Sequence, residues 1–133
     1  MRLPAQLLLL ALLLVFPLFA SIIKDPLSAR PDGADIRLSW TTGSEAGVGR
    51  FEIQRRSGHE GEFFFVARKD PQGDNSTYEY LDQQVFKSSG GIYHYRIRIV
   101  MTSGATIDTE SVPVALVAST AKRTWGSIKA MFR

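Results

Sequence analysis

The 133-residue chain contains no cysteine and only two histidines. Without cysteine there is no disulfide, no thiolate metal site, no cysteine nucleophile and no lipid attached through an N-terminal cysteine. His59 and His94 lie far apart in the sequence. Neither has a second histidine at ligand spacing, so both read as exposed surface residues rather than metal ligands. No Gly-x-Ser-x-Gly, no paired-carboxylate arrangement and no nucleophile beside a base can be drawn from the residues, so a hydrolase, which would need a carboxylate pair in a cleft, has no support in the sequence. The glycines of Gly43 to Gly49 have neither the βαβ context nor the following helix that phosphate cradling requires. Asp70, Asp74 and Asn75 are not spaced as in an EF-hand loop and read as turn formers. No cofactor motif is present, and internal repeats and low-complexity segments are also lacking. Asn75-Ser76-Thr77 fits the N-glycosylation pattern.

Long hydrophobic runs are confined to the first twenty residues. Arg2, the apolar stretch Leu7 to Phe16, Pro17 and Ala20 together form the pattern of an export signal. Cleavage after Ala20 would leave Leu18, a large residue, at the −3 position. The competing reading is an uncleaved anchor, since Ala5 to Ile23 is about long enough to span a bilayer. In either case the terminal amine and Arg2 stay inside and the rest of the chain lies outside, in the periplasm or the extracellular space, either free or held to the membrane.

Charge is unevenly spread. Residues 21–121 hold eleven Lys and Arg against thirteen Asp and Glu, a net −2, whereas residues 122–133 hold four basic residues and no acid. The mildly acidic body offers no basic footprint for nucleic acid.

That body is written in period two. From Tyr93 to Val100, Tyr93, Tyr95, Ile97 and Ile99 alternate with His94, Arg96 and Arg98. Such alternation of aromatic and β-branched residues marks a strand with one buried face. Ile36, Leu38 and Trp40 alternate in the same way, as do Phe51 and Ile53. Further strands are expected over Ser21 to Ala29, interrupted at Pro26, and over Glu62 to Arg68 and Thr77 to Leu81. A last strand is expected from Ala105 to Val117, with Pro113 at an edge or a bulge. Pro31-Asp32-Gly33 and Ser103-Gly104 are turns. Seven short strands with frequent turn signals predict an all-β sandwich of immunoglobulin type.

The segments Trp40-Thr-Thr-Gly-Ser-Glu45, Phe51-Glu-Ile-Gln-Arg55, Tyr78 to Asp82, Tyr93-His-Tyr-Arg-Ile-Arg98 and Gly104 to Ser111 follow one another in an order that resembles a fibronectin type III domain. The resemblance is nearest to the variety found in bacterial secreted proteins, where a Trp-x-Thr-x-x-Glu segment precedes a Phe-x-Val/Ile-x-Arg strand, and it covers roughly residues 21–117. It implies seven strands in two sheets, with Trp40 in the core and Tyr93 or Tyr95 in the tyrosine-corner role. It also implies a spacer, adhesion or binding module rather than an enzyme. The Arg-Gly-Asp adhesion tripeptide is absent, so integrin-type adhesion has no support.

Two stretches carry the candidate contacts. On the outer face of the central strand, Arg96 and Arg98 with Arg56 form a candidate face for an anionic ligand such as a polysaccharide or another acidic surface. The favoured reading of these residues is a cross-strand charge ladder with Glu52 and Gln54 that keeps the outer face soluble. In the tail, residues 118–133, the period shifts to 3.6. Ala121, Trp125, Ile128 and Phe132 fall on one face of an expected short helix, flanked by Lys122, Arg123, Lys129 and Arg133. A helix this short needs a surface to lie on: its own sandwich, an anionic membrane or the groove of a protein partner. The sequence thus reads as an exported, non-catalytic binding module associated with the cell envelope or the extracellular space. The alternative is a structural stalk or assembly subunit anchored by an uncleaved N-terminal helix.

Overall fold

The computed structural model of the chain describes residues 21–85 and 91–116. Eight strands are present there: β1 (Ile23–Asp32), β2 (Asp35–Thr42), β3 (Val48–Ser57), β4 (Phe64–Lys69), β5 (Thr77–Asp82), β6 (Gly91–Met101), β7 (Thr106–Asp108) and β8 (Val112–Leu116). They form two sheets. One has the order β1-β2-β5. The other has the order β4-β3-β6-β7, with β8 also pairing with β6. All the pairings are antiparallel. The expected leader and tail helices lie outside the described residues, and among these no helix is long and apolar enough to cross a membrane.

The alternation in the sequence is the alternation of the sandwich. Ile36, Leu38 and Trp40 of β2, Phe51 and Ile53 of β3, and Tyr95, Ile97 and Ile99 of β6 are all buried. They project from opposing sheets into one core. Trp40 stacks on Tyr78, its cross-strand partner, with ring centroids 5.0 Å apart and planes within 6° of each other. Phe51 reaches both rings from the other sheet, at 6.2 Å from Trp40 and 5.1 Å from Tyr78. Aromatic contacts of this kind add to simple area burial.

Three expectations are corrected. The number of strands is eight among the described residues, not seven, because the expected single strand Ala105 to Val117 divides. β7 pairs with Arg98 to Val100, and β8 pairs with Gly91 to Tyr95 further along the same edge of β6. The break falls at Thr109, which trades strand pairing for a local clasp: its N–H donates to the Ile97 carbonyl, while its hydroxyl accepts from the Ile97 N–H. The expected turn at Pro31-Asp32-Gly33 is displaced. Pro31 and Asp32 extend β1, and the turn is made by Gly33 and Ala34, with Gly33 at φ 63°. His94, finally, is buried rather than exposed. Pro113 does lie on an edge strand, as its missing N–H requires.

The Trp-x-Thr-x-x-Glu segment turns out to be a fastener for two loops. Buried Glu45 accepts hydrogen bonds from the hydroxyls of Thr42 (2.8 Å) and Tyr78 (2.5 Å) and from the Gly73 N–H (2.8 Å). Its own N–H donates to Asp74 Oδ1 at 2.7 Å. Asn75, at φ 56°, donates its N–H to the Gly43 carbonyl. Burial and the neighbouring Glu45 carboxylate push the Tyr78 hydroxyl up to about 12. The buried polar groups are paired with one another, as they must be away from water. Asp74 and Asn75 are therefore turn residues that also hold the loop against β2.

Candidate aromatic and basic binding face

One face of the β4-β3-β6 sheet packs on the core, and the other is covered among the described residues only where the turn after β3 folds back over it, burying Gln54 and His94. In such a sheet the outward positions of neighbouring strands sit opposite one another. The register sets Glu52 against Arg98, Gln54 against Arg96 and Arg56 against His94. These are the outer-face neighbours that the alternation in the sequence predicts.

The three arginines differ in what they are free to do. Arg98 grips Asp108 of β7 through two hydrogen bonds, at 2.7 and 3.0 Å. That hydrogen bond raises the proton affinity of the guanidinium, while the Arg98 contact and the charge of Arg96 hold the Asp108 carboxyl below its usual range. Arg98 is thus already committed to an anion. Arg96 donates to Gln54 at 2.8 Å and lies 3.6 Å from Asp108. Arg56 donates to the Gly58 carbonyl at 3.3 Å.

Both Arg56 and Arg96 also lie against a residue that the sequence reading did not single out. The Phe63 ring centroid is 4.7 Å from the Arg56 guanidinium carbon and 4.1 Å from that of Arg96. An aromatic face draws cations by its quadrupole and restricts where they point. Around Phe63 an open cleft of about 420 Å³ is lined by Gln54, Arg56, Gly61, Glu62, Phe63, Arg96 and Arg98. On edge strand β4 the next two residues, Phe64 and Phe65, are 68% and 60% exposed. Phe65 is opposite Gln54, on the outer face. A run of three phenylalanines is unremarkable as a strand former; the signal that it was more than that lay in Phe64 and Phe65 being adjacent, since two neighbours cannot share the buried face.

No family model matches the chain and no curated relative matches it in sequence. Solved structures do match in shape. An Fn3-like protein from Clostridium thermocellum superposes with a TM-score of 0.51 at 22% identity, covering 69% of this chain and 88% of that one. Its breadth of coverage decides the architecture. The fold is fibronectin type III-like. A second similar structure is pectate lyase PelI from Erwinia chrysanthemi in complex with tetragalacturonic acid, with a TM-score of 0.52 at 22% identity. It is matched over 66% of this chain, which spans only 27% of that enzyme's length.

Within the fibronectin type III-like domain Trp40 occupies the core, as the resemblance implies. Of the two tyrosines named for the corner role, both are buried, and the Tyr95 hydroxyl donates to the Asp82 side chain, Oδ2, at 2.6 Å. Asp82 also pairs with Arg55, an inward-facing arginine at a position whose parity calls for an apolar residue. The domain brings Arg56 and Arg96 together around Phe63 and leaves Arg98 bound to Asp108. Lys122, Arg123, Trp125, Ile128, Lys129, Phe132 and Arg133 lie outside the described residues. Among the described residues no group of three or more His, Asp or Glu is placed to hold a metal ion.

His94 gives the domain a pH dependence. Burial, then the charge of Arg56 and the neighbouring His59, lower its proton affinity below the ordinary value near 6.5. The unfolded chain therefore binds a proton more readily than the folded one. Stability is unaffected above about pH 6.5 and falls as the pH drops from there through the lower folded value. Urea denaturation across this range should show that slope, and His94→Gln should flatten it.

Proposed function

We propose that this chain is a non-catalytic binding module of an exported protein, and that it takes an acidic polysaccharide on the outer face of the five-stranded sheet. The observation that supports this reading is the pair of guanidiniums, Arg56 and Arg96, held at 4.7 and 4.1 Å from the Phe63 ring on the face that also carries exposed Phe65. A sugar acid offers an apolar ring face and a carboxylate in one unit. The phenylalanines supply stacking surface for the first, and the arginines supply charge-assisted, bidentate hydrogen bonds for the second. The open cleft suits a chain that continues past it in both directions. Export is supported by the leader pattern of Met1 to Ala20, and the purified exported protein would then begin near Ser21. The basic tail is a second contact for an anionic surface in this reading. Its Lys122, Arg123, Lys129 and Arg133 supply attraction, and Trp125, Ile128 and Phe132 supply apolar contact.

Calorimetric titration with tetragalacturonate, the ligand in the structure of the pectate lyase that this chain matches over part of its length, tests the reading. Arg56→Gln and Arg96→Gln should each weaken binding about tenfold or more, the loss of a hydrogen bond between charged groups. Arg98→Gln should weaken it less than about threefold, because Asp108 already occupies that guanidinium. Binding should also fall as salt shortens the screening length to about 8 Å. Equal losses for all three arginines, or binding insensitive to salt, would contradict the assignment.

A further inference from the structure

The two histidines, 35 positions apart in the sequence, meet in the fold. The turn after β3 folds back over β6, where Gly58 donates its N–H to the Ile92 carbonyl at 2.8 Å. This brings His59 Nδ1 to 3.3 Å from His94 Nε2, with the rings edge to face at a centroid distance of 5.2 Å and an angle of 66°. We propose that His59 and His94 form a two-imidazole clip for a borderline divalent cation of the Zn²⁺ or Cu²⁺ kind.

The argument is one of spacing and availability. Two imidazole nitrogens bound about 2.0–2.1 Å from a tetrahedral ion stand about 3.3–3.4 Å apart. The pair already has that separation. The two nitrogens now face each other at hydrogen-bond distance. His59 is exposed and its ring is free to turn so that both lone pairs meet one ion. His94 is held by the sheet at 9% exposure, so half of the clip is rigid before binding.

Two features limit the affinity. Metal-bound imidazoles usually donate their other N–H to an acceptor, and buried His94 Nδ1 has none among the described residues. Arg56 also contributes positive charge at His94. The clip is therefore an exchangeable site rather than a structural one, with its remaining coordination positions open to water. It does not rest on the polysaccharide reading, although Arg56 borders both sites, and it is tested with the metal alone.

Titrating the full chain with ZnCl₂ by calorimetry, and with CuCl₂ by electron paramagnetic resonance, tests this near neutral pH. The expected result is one ion per chain and a copper spectrum with two coordinated imidazole nitrogens. His59→Gln changes an exposed residue and leaves the core intact. It should weaken binding about tenfold or more, since losing even an outer partner of a metal ligand has that effect. Arg56→Gln should strengthen binding by removing a repelling charge. An ion held elsewhere, at the terminal amine for instance, would respond to neither change. No binding, unchanged affinity in His59→Gln, a single nitrogen in the copper spectrum, or weaker binding in Arg56→Gln would each overturn the proposal.

Discussion

Replacing Trp40 with alanine should lower the stability of the protein by about 3–5 kcal/mol, the range for large aromatic side chains truncated in packed cores. Trp40 is 1% exposed, stacked on Tyr78 and touched by Phe51 from the opposite sheet, so its removal leaves a cavity that both sheets border. Trp40→Phe is the informative comparison. The indole Nε1 is buried with no hydrogen-bond partner among the described residues. Phenylalanine therefore gives up some packing but no polar contact, and should be the milder change by a clear margin. Chemical denaturation of the two variants measures both effects. Equal losses would show that the ring is not the contact between the sheets.

Asp82→Ala should cost a similar amount, about 3–5 kcal/mol, for a different reason. Removing one partner of a buried ion pair strands the other. Asp82 is fully buried, pairs with Arg55, and accepts from the Tyr95 hydroxyl and from the Gln84 N–H at 3.1 Å. Burial and Asp82 push the Tyr95 hydroxyl well above its usual range. Burial, the largest single influence, lowers the proton affinity of Arg55, but the hydrogen bond and charge of Asp82 together with those of Tyr95 outweigh it. The triple variant Arg55→Met, Asp82→Leu, Tyr95→Phe removes every member of the cluster together. It should lose less than Asp82→Ala alone, since apolar groups of similar volume can replace a buried pair at little cost. Were the triple variant the less stable one, the cluster would be stabilising in its own right and not merely costly to break.

The core was legible because period-two alternation directly records which face is buried. Ile36, Leu38, Trp40, Phe51, Ile53, Tyr95, Ile97 and Ile99 could all be placed from it. The polar interior was less legible. Arg55 shares the parity of Phe51 and Ile53, and a charge at an inward position calls for a buried partner. The sequence held that signal but not the identity of the partner, since Asp82 is 27 residues away. Glu45 was visible as part of a motif, yet its work of joining two loops appears only when Gly73 and Asp74 are brought beside it. The break between β7 and β8 was hidden because Ala105 to Val117 carries no glycine to mark it, and Thr109 makes the break with a side-chain hydrogen bond instead. The meeting of His59 and His94 depends on how the β3–β4 turn folds over β6, which no local pattern encodes. On the candidate face the sequence supplied the arginines and missed the phenylalanines. The charge of an arginine is evident wherever it lies, whereas the exposure of Phe64 and Phe65 follows from the edge position of β4.

The central claim is that ligand meets the domain around Phe63, Arg56 and Arg96. Nuclear magnetic resonance of the ¹⁵N-labelled protein during addition of tetragalacturonate tests it most directly, because it reports where contact occurs as well as whether it does. The account predicts that backbone and guanidinium signals shift along the outward positions of β3 and β6 and along β4, with those of Arg56, Phe63 and Arg96 moving most. Shifts confined to the β1-β2-β5 sheet, or no shifts at millimolar ligand, would contradict it.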